Sequence, residues 1–276
     1  YLAGQPTAMA SLDAVRAAAK HLARNRTEAG VACAGTRFAT VGGSQGGHAA
    51  PWVDRLAPYY APELRHMGVV TTVPPSDLVG HAVRALRAAV PASANMAAFF
   101  SATSDWYGTR DKLGDVFVPP LDKDLPAAMA AGCDPGDTLK GKDLSMIFTK
   151  GLLDAAASRE ALLAFPTFGC LVRENGLTTT PLARVAPQEP GYGVLFVLGE
   201  SDTLVDPGVE RTAFDMLCAQ GMGMQYLECA GASHTKATTW AMPEIVDYIA
   251  DRFAGKVPAA ASLCQRGPAV KCRATP

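Results

Sequence analysis

Charge is scarce in this chain. Charged residues make up 18% of its 276 positions and nearly cancel, leaving a formal net charge of −1. No basic cluster stands out, so nothing offers a phosphate backbone its counter-charge, and a nucleic-acid partner is not expected. Apolar runs long enough to cross a bilayer are missing too, which excludes a spanning helix. There is no long repeat and no low-complexity tract. The seven cysteines include no C-x-x-C pair, which argues against a zinc ribbon or a thioredoxin-type site. The chain opens on Tyr1 without a signal peptide, so a processed or partial polypeptide is expected.

What remains is a globular composition. Hydrophobic residues reach 49%, and the length suffices for a large core, in one domain or in a domain with an insertion. Cys264 and Cys272 lie in a Pro/Ala/Gly-rich tail with no evident core. A disulfide between them is the expectation, and with it an exported protein, secreted or periplasmic. The alternative is a set of buried, reduced thiols. The odd count leaves at least one of Cys33, Cys133, Cys170, Cys218 and Cys229 without a partner in the chain.

Gly42-Gly43-Ser44-Gln45-Gly46 matches G-x-S-x-G, the elbow that places a serine on a tight strand-to-helix turn. Arg37 to Val41 reads as the strand and Gln45 to about Leu56 as the start of a helix that runs to the breaker region Pro58 to Pro62. Sharp turns force backbone angles that side chains oppose, so small flanking residues have a steric reason to be there.

Along the rest of the chain, Thr7 to about Asn25 reads as a helix with Leu12, Val15, Ala19 and Leu22 on one face, capped by Thr7 or Ser11. Met67–Val73 is a second strand, ending at Pro74-Pro75. From Asp77 to about Pro190 the chain is rich in Ala, Met and Phe. Helical stretches such as His81–Val90 and Leu144–Ala156 make it a mostly helical insertion, or else a run of ordinary surface helices. Regular alternation then resumes: strand Gly193–Gly199, helix Pro207–Ala219, strand Met224–Cys229, and helix Met242–Phe253 with Val246, Ile249 and Phe253 inward. Strands alternating with helices indicate an α/β fold with a parallel sheet.

A serine hydroxyl needs a base beside it and a group to orient that base. Asp202 follows the strand ending at Gly199, and His234 follows the strand ending at Cys229, each beyond a carboxyl end where sites form in parallel sheets. The order Ser44, Asp202, His234 is the one such hydrolases use. His234 is also the only histidine after His81. Singly, each feature has a plain reading: an accidental pentapeptide, a turn aspartate, a loop histidine. Asp206 is the rival acid and reads instead as a helix cap; Glu200 lies too close to its strand; His48 reads as structural. The Gln45 backbone N–H is the candidate oxyanion donor, and no earlier strand offers a second.

These residues resemble the α/β-hydrolase superfamily. The stretch Gly42 to Ala50, with Tyr60-Ala61-Pro62-Glu63-Leu64 and Leu12-Asp13-Ala14-Val15-Arg16-Ala17, is similar to the secretory lipase family within it. That resemblance implies a mostly parallel eight-stranded sheet with a helical cap after the sixth strand, of which this chain would carry a partial α/β-hydrolase fold of about four strands. Residues 1–76 and 191–255 would form the core, 77–190 the cap and 256–276 a tail. It implies hydrolysis of hydrophobic carboxylic esters through an acyl-enzyme, with a small-molecule or lipid ester as partner and no metal or organic cofactor. It implies that four strands and the second oxyanion donor precede Tyr1, making an absent amino-terminal part of the same protein the partner of an open edge beside Ser44. An acyltransferase or a peptidase would use the same triad, and a catalytically impaired fragment or a non-catalytic binding protein is the reading from another class.

Overall fold

The structure is a computed structural model that describes residues 1–24, 35–133, 135–187 and 189–276. Helix α1 (Gly4–Arg24) leads to strand β1 (Arg37–Gly43), helix α2 (Gln45–Tyr60) and strand β2 (Arg65–Thr72). Strand β3 (Gly193–Gly199) and strand β4 (Met224–Cys229) complete one sheet, ordered β1-β2-β3-β4, in which every neighbouring pair is parallel. All four carboxyl ends therefore open on the same edge. Among the described residues β1 pairs only with β2, so the strand that leads to Ser44 is the sheet's outer strand.

Strand β3 is buried at every position, as its unbroken apolar run requires. Its side chains alternate between two layers. Val194, Phe196 and Leu198 join Leu12 of α1, Trp52 and Val53 of α2, and Phe214 and Leu217, which come from the Pro207–Ala219 helix after β3. Leu195 and Val197 face the opposite way, toward Ala237, Ile245 and Tyr248 of the helices after β4.

Between β2 and β3 the chain is helical: α3 (Leu78–Arg87), α4 (Ala92–Tyr107), α5 (Leu121–Gly132), α6 (Gly136–Leu139), α7 (Leu144–Ile147), α8 (Lys150–Ala155), α9 (Arg159–Leu163) and α10 (Phe168–Asn175). This stretch has its own core, centred on Phe99, Phe100, Phe117, Phe148 and Phe168. The helix expected over Leu144–Ala156 is split in two. Phe148 leaves the helical path to bridge Phe117, with the rings stacked 5.9 Å apart. Thr149 then starts α8 by accepting the Leu152 N–H at 3.3 Å. Beyond Asn175 the chain returns to the sheet without helix, held by Arg55, which donates to the Leu177 and Leu182 carbonyls at 3.2 and 2.8 Å.

The last helices are α11 (Pro207–Ala219), α12 (His234–Trp240) and α13 (Met242–Phe253). The inward face of α13 is Ile245, Tyr248 and Arg252; Val246 and Phe253, expected inside, are exposed. The reason lies in the sheet. A Cβ on Gly68 would stand 2.8 Å from Arg252 Cγ, and one on Gly193 would stand 2.5 Å from the Tyr248 hydroxyl. Those two glycines make room for long side chains that a helix read alone assigns to the edge.

Helix α1 starts earlier than expected, and neither Thr7 nor Ser11 caps it. Their hydroxyls turn back onto the Ala3 and Thr7 carbonyls. The Gly4 N–H is instead taken by Asn175 Oδ1 at 2.8 Å, from the far end of α10.

The expected Cys264–Cys272 bond is not formed. Cys218 bonds Cys264 and Cys229 bonds Cys272. The tail runs along α11 and β4 rather than folding on itself, which carries each tail cysteine to a different partner. Cys133 and Cys170 are free and exposed; Cys33, like the expected end of the first helix at Asn25, lies outside the described residues. No helix among the described residues is long and apolar enough to cross a membrane.

Candidate functional site

Ser44 joins β1 to α2 with φ 57° and ψ −116°, a backbone conformation that non-glycine residues seldom adopt. Such conformations cost about 1–3 kcal/mol and persist where the surroundings dictate them. Here the Ser44 N–H donates to the Thr72 carbonyl at 2.9 Å, and the Ser44 carbonyl accepts the His48 N–H at 3.0 Å. The turn is so tight that a Cβ on Gly42 would lie 2.0 Å from the Gly46 carbonyl oxygen. At Gly46 a Cβ would meet nothing within 4 Å, so that glycine is not demanded by space in the fold. The Gln45 N–H belongs to the first turn of α2, where N–H groups have no intrahelical acceptor.

Asp202 and His234 are brought together. Asp202 is buried, and its Oδ1 accepts the N–H groups of Leu204 at 2.8 Å and Val205 at 3.0 Å. Its Oδ2 accepts His234 Nδ1–H at 2.7 Å. Three donors thus fix the carboxylate and leave His234 Nε2 as the ring's free nitrogen. Among the described residues neither that nitrogen nor Ser44 Oγ has a hydrogen-bond partner, and the two are not bonded to each other. The elbow nevertheless touches the helix that His234 begins. The hydroxyls of Thr72 and Thr238 are hydrogen-bonded, and a Cβ on Gly43 would stand 3.3 Å from Thr238 Oγ1.

Ser44 also borders a mostly apolar cavity with Leu2, Leu78, His81, Met96 and Val205. The cavity therefore joins the serine to the loop that carries Asp202. His81 in its wall is engaged through Nε2 with Glu210 Oε1 at 2.8 Å. Glu210 is fully buried, and burial pushes its carboxyl up from the ordinary range, against the pull of His81. His81 is not marked in the sequence as part of a site, because it reaches the cavity wall from α3, outside any motif, and Glu210 stands behind it on α11. Leu204 and Val205 had a signal: they follow Asp202 in the same strand-end loop.

The other sequence candidates fall elsewhere. Asp206 Oδ1 accepts the Val209 N–H at 3.0 Å and caps α11. Glu200 is exposed and accepts the Gly231 N–H at 2.8 Å. His48 is buried against the Asn175 carbonyl at 2.7 Å, and burial lowers its pKa to about 4, so it is neutral at pH 7. Among the described residues no group of three or more His, Cys, Asp or Glu side chains is placed to hold a metal ion.

A family model described as Secretory lipase matches residues 1–261. Among solved structures the fold is similar to lipase A of Candida antarctica in its closed state, with TM-score 0.75 and 19% identity, covering 100% of this chain and 60% of that one. It is similar to the rice cell wall degrading esterase LipA of Xanthomonas oryzae, with TM-score 0.64 and 19% identity over 92% of this chain and 65% of that one. A putative hydrolase of Legionella pneumophila gives TM-score 0.67 and 16% identity over 90% of this chain and 64% of that one. The chain thus spans about 60% of the length of the Candida protein. No curated protein matches it.

Proposed function

The chain belongs to the secretory lipase family, and from that premise we propose that it carries the catalytic machinery of a serine carboxylic ester hydrolase for hydrophobic acyl esters. The observation that carries the reading is the Asp202–His234 pair at 2.7 Å, set on the same sheet edge as the elbow serine. Ser44 Oγ attacks the ester carbonyl carbon while His234 Nε2 takes its proton. The imidazolium so formed faces the Asp202 carboxylate, which the Leu204 and Val205 N–H groups keep aligned. The oxyanion of the tetrahedral intermediate is met by the Gln45 N–H. His234 then protonates the departing alcohol, leaving the acyl group on Ser44. Water, deprotonated by His234, releases the acid. The apolar cavity beside Ser44 suits the acyl chain, and residues 77–190 act as a helical cap over it.

The edge of β1 that is unpaired among the described residues is the seat for a further strand of the same protein, whose loop would supply the second oxyanion donor. Family membership and two disulfides place the protein outside the cytoplasm. A fluorophosphonate probe tests the core of the reading. It should label Ser44 and no other residue, and labelling should vanish in Ser44→Ala and His234→Ala. Undiminished labelling in Ser44→Ala would remove the serine from the mechanism. A panel of p-nitrophenyl esters of rising chain length beside peptide substrates then separates ester hydrolysis from peptidase action.

A further inference from the structure

We propose that the Cys229–Cys272 disulfide and the tail rung at Val270 position His234 for catalysis; the inference rests on the assignment of Ser44, His234 and Asp202 made above. Cys229 ends β4, immediately before the loop 230–233 that delivers His234. Its carbonyl accepts the Glu200 N–H at 3.1 Å and the Ala232 N–H at 3.2 Å. Ser201 N–H donates to the Ala232 carbonyl at 2.9 Å, and Gly231 N–H donates to Glu200 Oε2 at 2.8 Å. On its inner side the histidine loop is therefore stitched to the turn that carries Asp202.

On its outer side the loop is held by the tail. Ala230 N–H donates to the Val270 carbonyl at 2.8 Å, and Val270 N–H donates to the Glu228 carbonyl at 2.8 Å, making a parallel bridge beyond β4. Val270 is 44% exposed, so water competes for that rung. The covalent anchor two residues on, Cys272, is fully buried, as is Cys229. The disulfide thus converts an exposed two-bond contact into a fixed outer wall for the loop.

The second disulfide supplies the control. Cys264 N–H donates to the carbonyl of Met224, the first residue of β4, so Cys218–Cys264 ties the tail down at the end of the strand away from the site. The two bonds close segments of similar length, with sequence separations of 46 and 43. Chain-entropy arguments give them nearly equal weight in the unfolded state. Any difference in rate between their removals therefore comes from where each holds the tail, on α11 for Cys218–Cys264 and at the end of β4 for Cys229–Cys272.

The experiment compares the Cys229→Ser/Cys272→Ser and Cys218→Ser/Cys264→Ser double variants with the parent chain, at a temperature where circular dichroism shows all three folded. The readouts are the rate of fluorophosphonate labelling at Ser44, kcat and KM for a p-nitrophenyl ester, and the low-field proton resonance of His234 Nδ1–H bonded to Asp202. Loss of the Cys229–Cys272 bond should slow labelling and kcat by about tenfold to a hundredfold, the scale that small misplacements impose. KM should hold and the low-field resonance should broaden or vanish. Loss of Cys218–Cys264 should leave all of these within about twofold. Equal effects of the two pairs would overturn the proposal. Should the first variant fail to fold, Val270→Pro, which deletes the rung's N–H and keeps both disulfides, is read the same way; unchanged labelling and resonance in it would overturn the proposal. A parent chain that is not labelled would remove the assignment of Ser44 and this inference together, whereas a labelled parent with equal variants removes this inference alone.

Discussion

Gly42 shows how much a single missing Cβ can decide. An alanine there would drive its Cβ into the Gly46 carbonyl, a backbone atom that can yield only if the elbow opens. Gly42→Ala should cost about 2 kcal/mol or more, as overpacking does, read as a lower urea midpoint. Gly46→Ala, with open space around it inside a helix, should change stability by less than about 1 kcal/mol. The motif makes the two glycines look alike, and only the turn's geometry ranks them. Two buried histidines give a second residue-scale prediction. Burial lowers the pKa of His48 to about 4, against the pull of the Asn175 carbonyl. It lowers that of His66 to about 4, against the pull of Asp54. Both start from an ordinary value of 6.5. Below pH 6.5 the unfolded chain gains protons that the folded one refuses. Stability is therefore full above pH 6.5 and falls as the pH drops toward 4, by on the order of 3 kcal/mol per imidazole. Urea unfolding across that range, with His48→Gln and His66→Gln flattening the slope, is the check.

Among the elements, α13 is the instructive case. Its periodicity was legible, and Ile249 packs against the core as expected, but Ile245 and Arg252 take the inward places expected of Val246 and Phe253 because the sheet beneath them carries Gly68 and Gly193. The long side chains that fill this space include Arg252, which is 3% exposed. Its guanidinium lies over the Tyr248 ring at 4.5 Å. Nε and Nη1 are buried without a hydrogen-bond partner, and no carboxylate pairs with the group among the described residues. A buried charge without a counter-ion opposes folding. Arg252→Met should therefore keep stability or raise it by about 1 kcal/mol, whereas Ile245→Ala on the same face should lower it by about 2–4 kcal/mol. Thermal and urea unfolding of the two variants separate these outcomes. The strands β3 and β4 and helix α11 matched their sequence signals to the residue, because each rests on a strong local pattern bounded by Gly or Pro. The helix over Leu144–Ala156 did not, because Phe148 serves the distant Phe117 rather than its own helix.

The outermost strand matters most for the molecule as a whole. Along β1, Arg37, Phe38, Ala39 and the residues that follow pair, among the described residues, with β2 on one side only, and Val41 is 53% exposed. Unpaired strand edges recruit other chains. The isolated chain should associate with rising concentration, and Val41→Lys should weaken that association in sedimentation velocity while shifting stability by less than about 0.5 kcal/mol. Equal association of the two would place the sticky surface elsewhere.

The sequence by itself determined the parallel α/β alternation, the elbow, and the order of Ser44, Asp202 and His234, because these depend on local periodicity and on residues that sit at strand ends. Tertiary structure alone decided the rest: which cysteines pair, which face α13 buries, that Asn175 caps α1, and that the tail closes over the histidine loop. Each of these is a contact between segments far apart in the chain, selected by the space and the unpaired backbone groups that the sheet and its helices leave open, and no local pattern encodes that remainder.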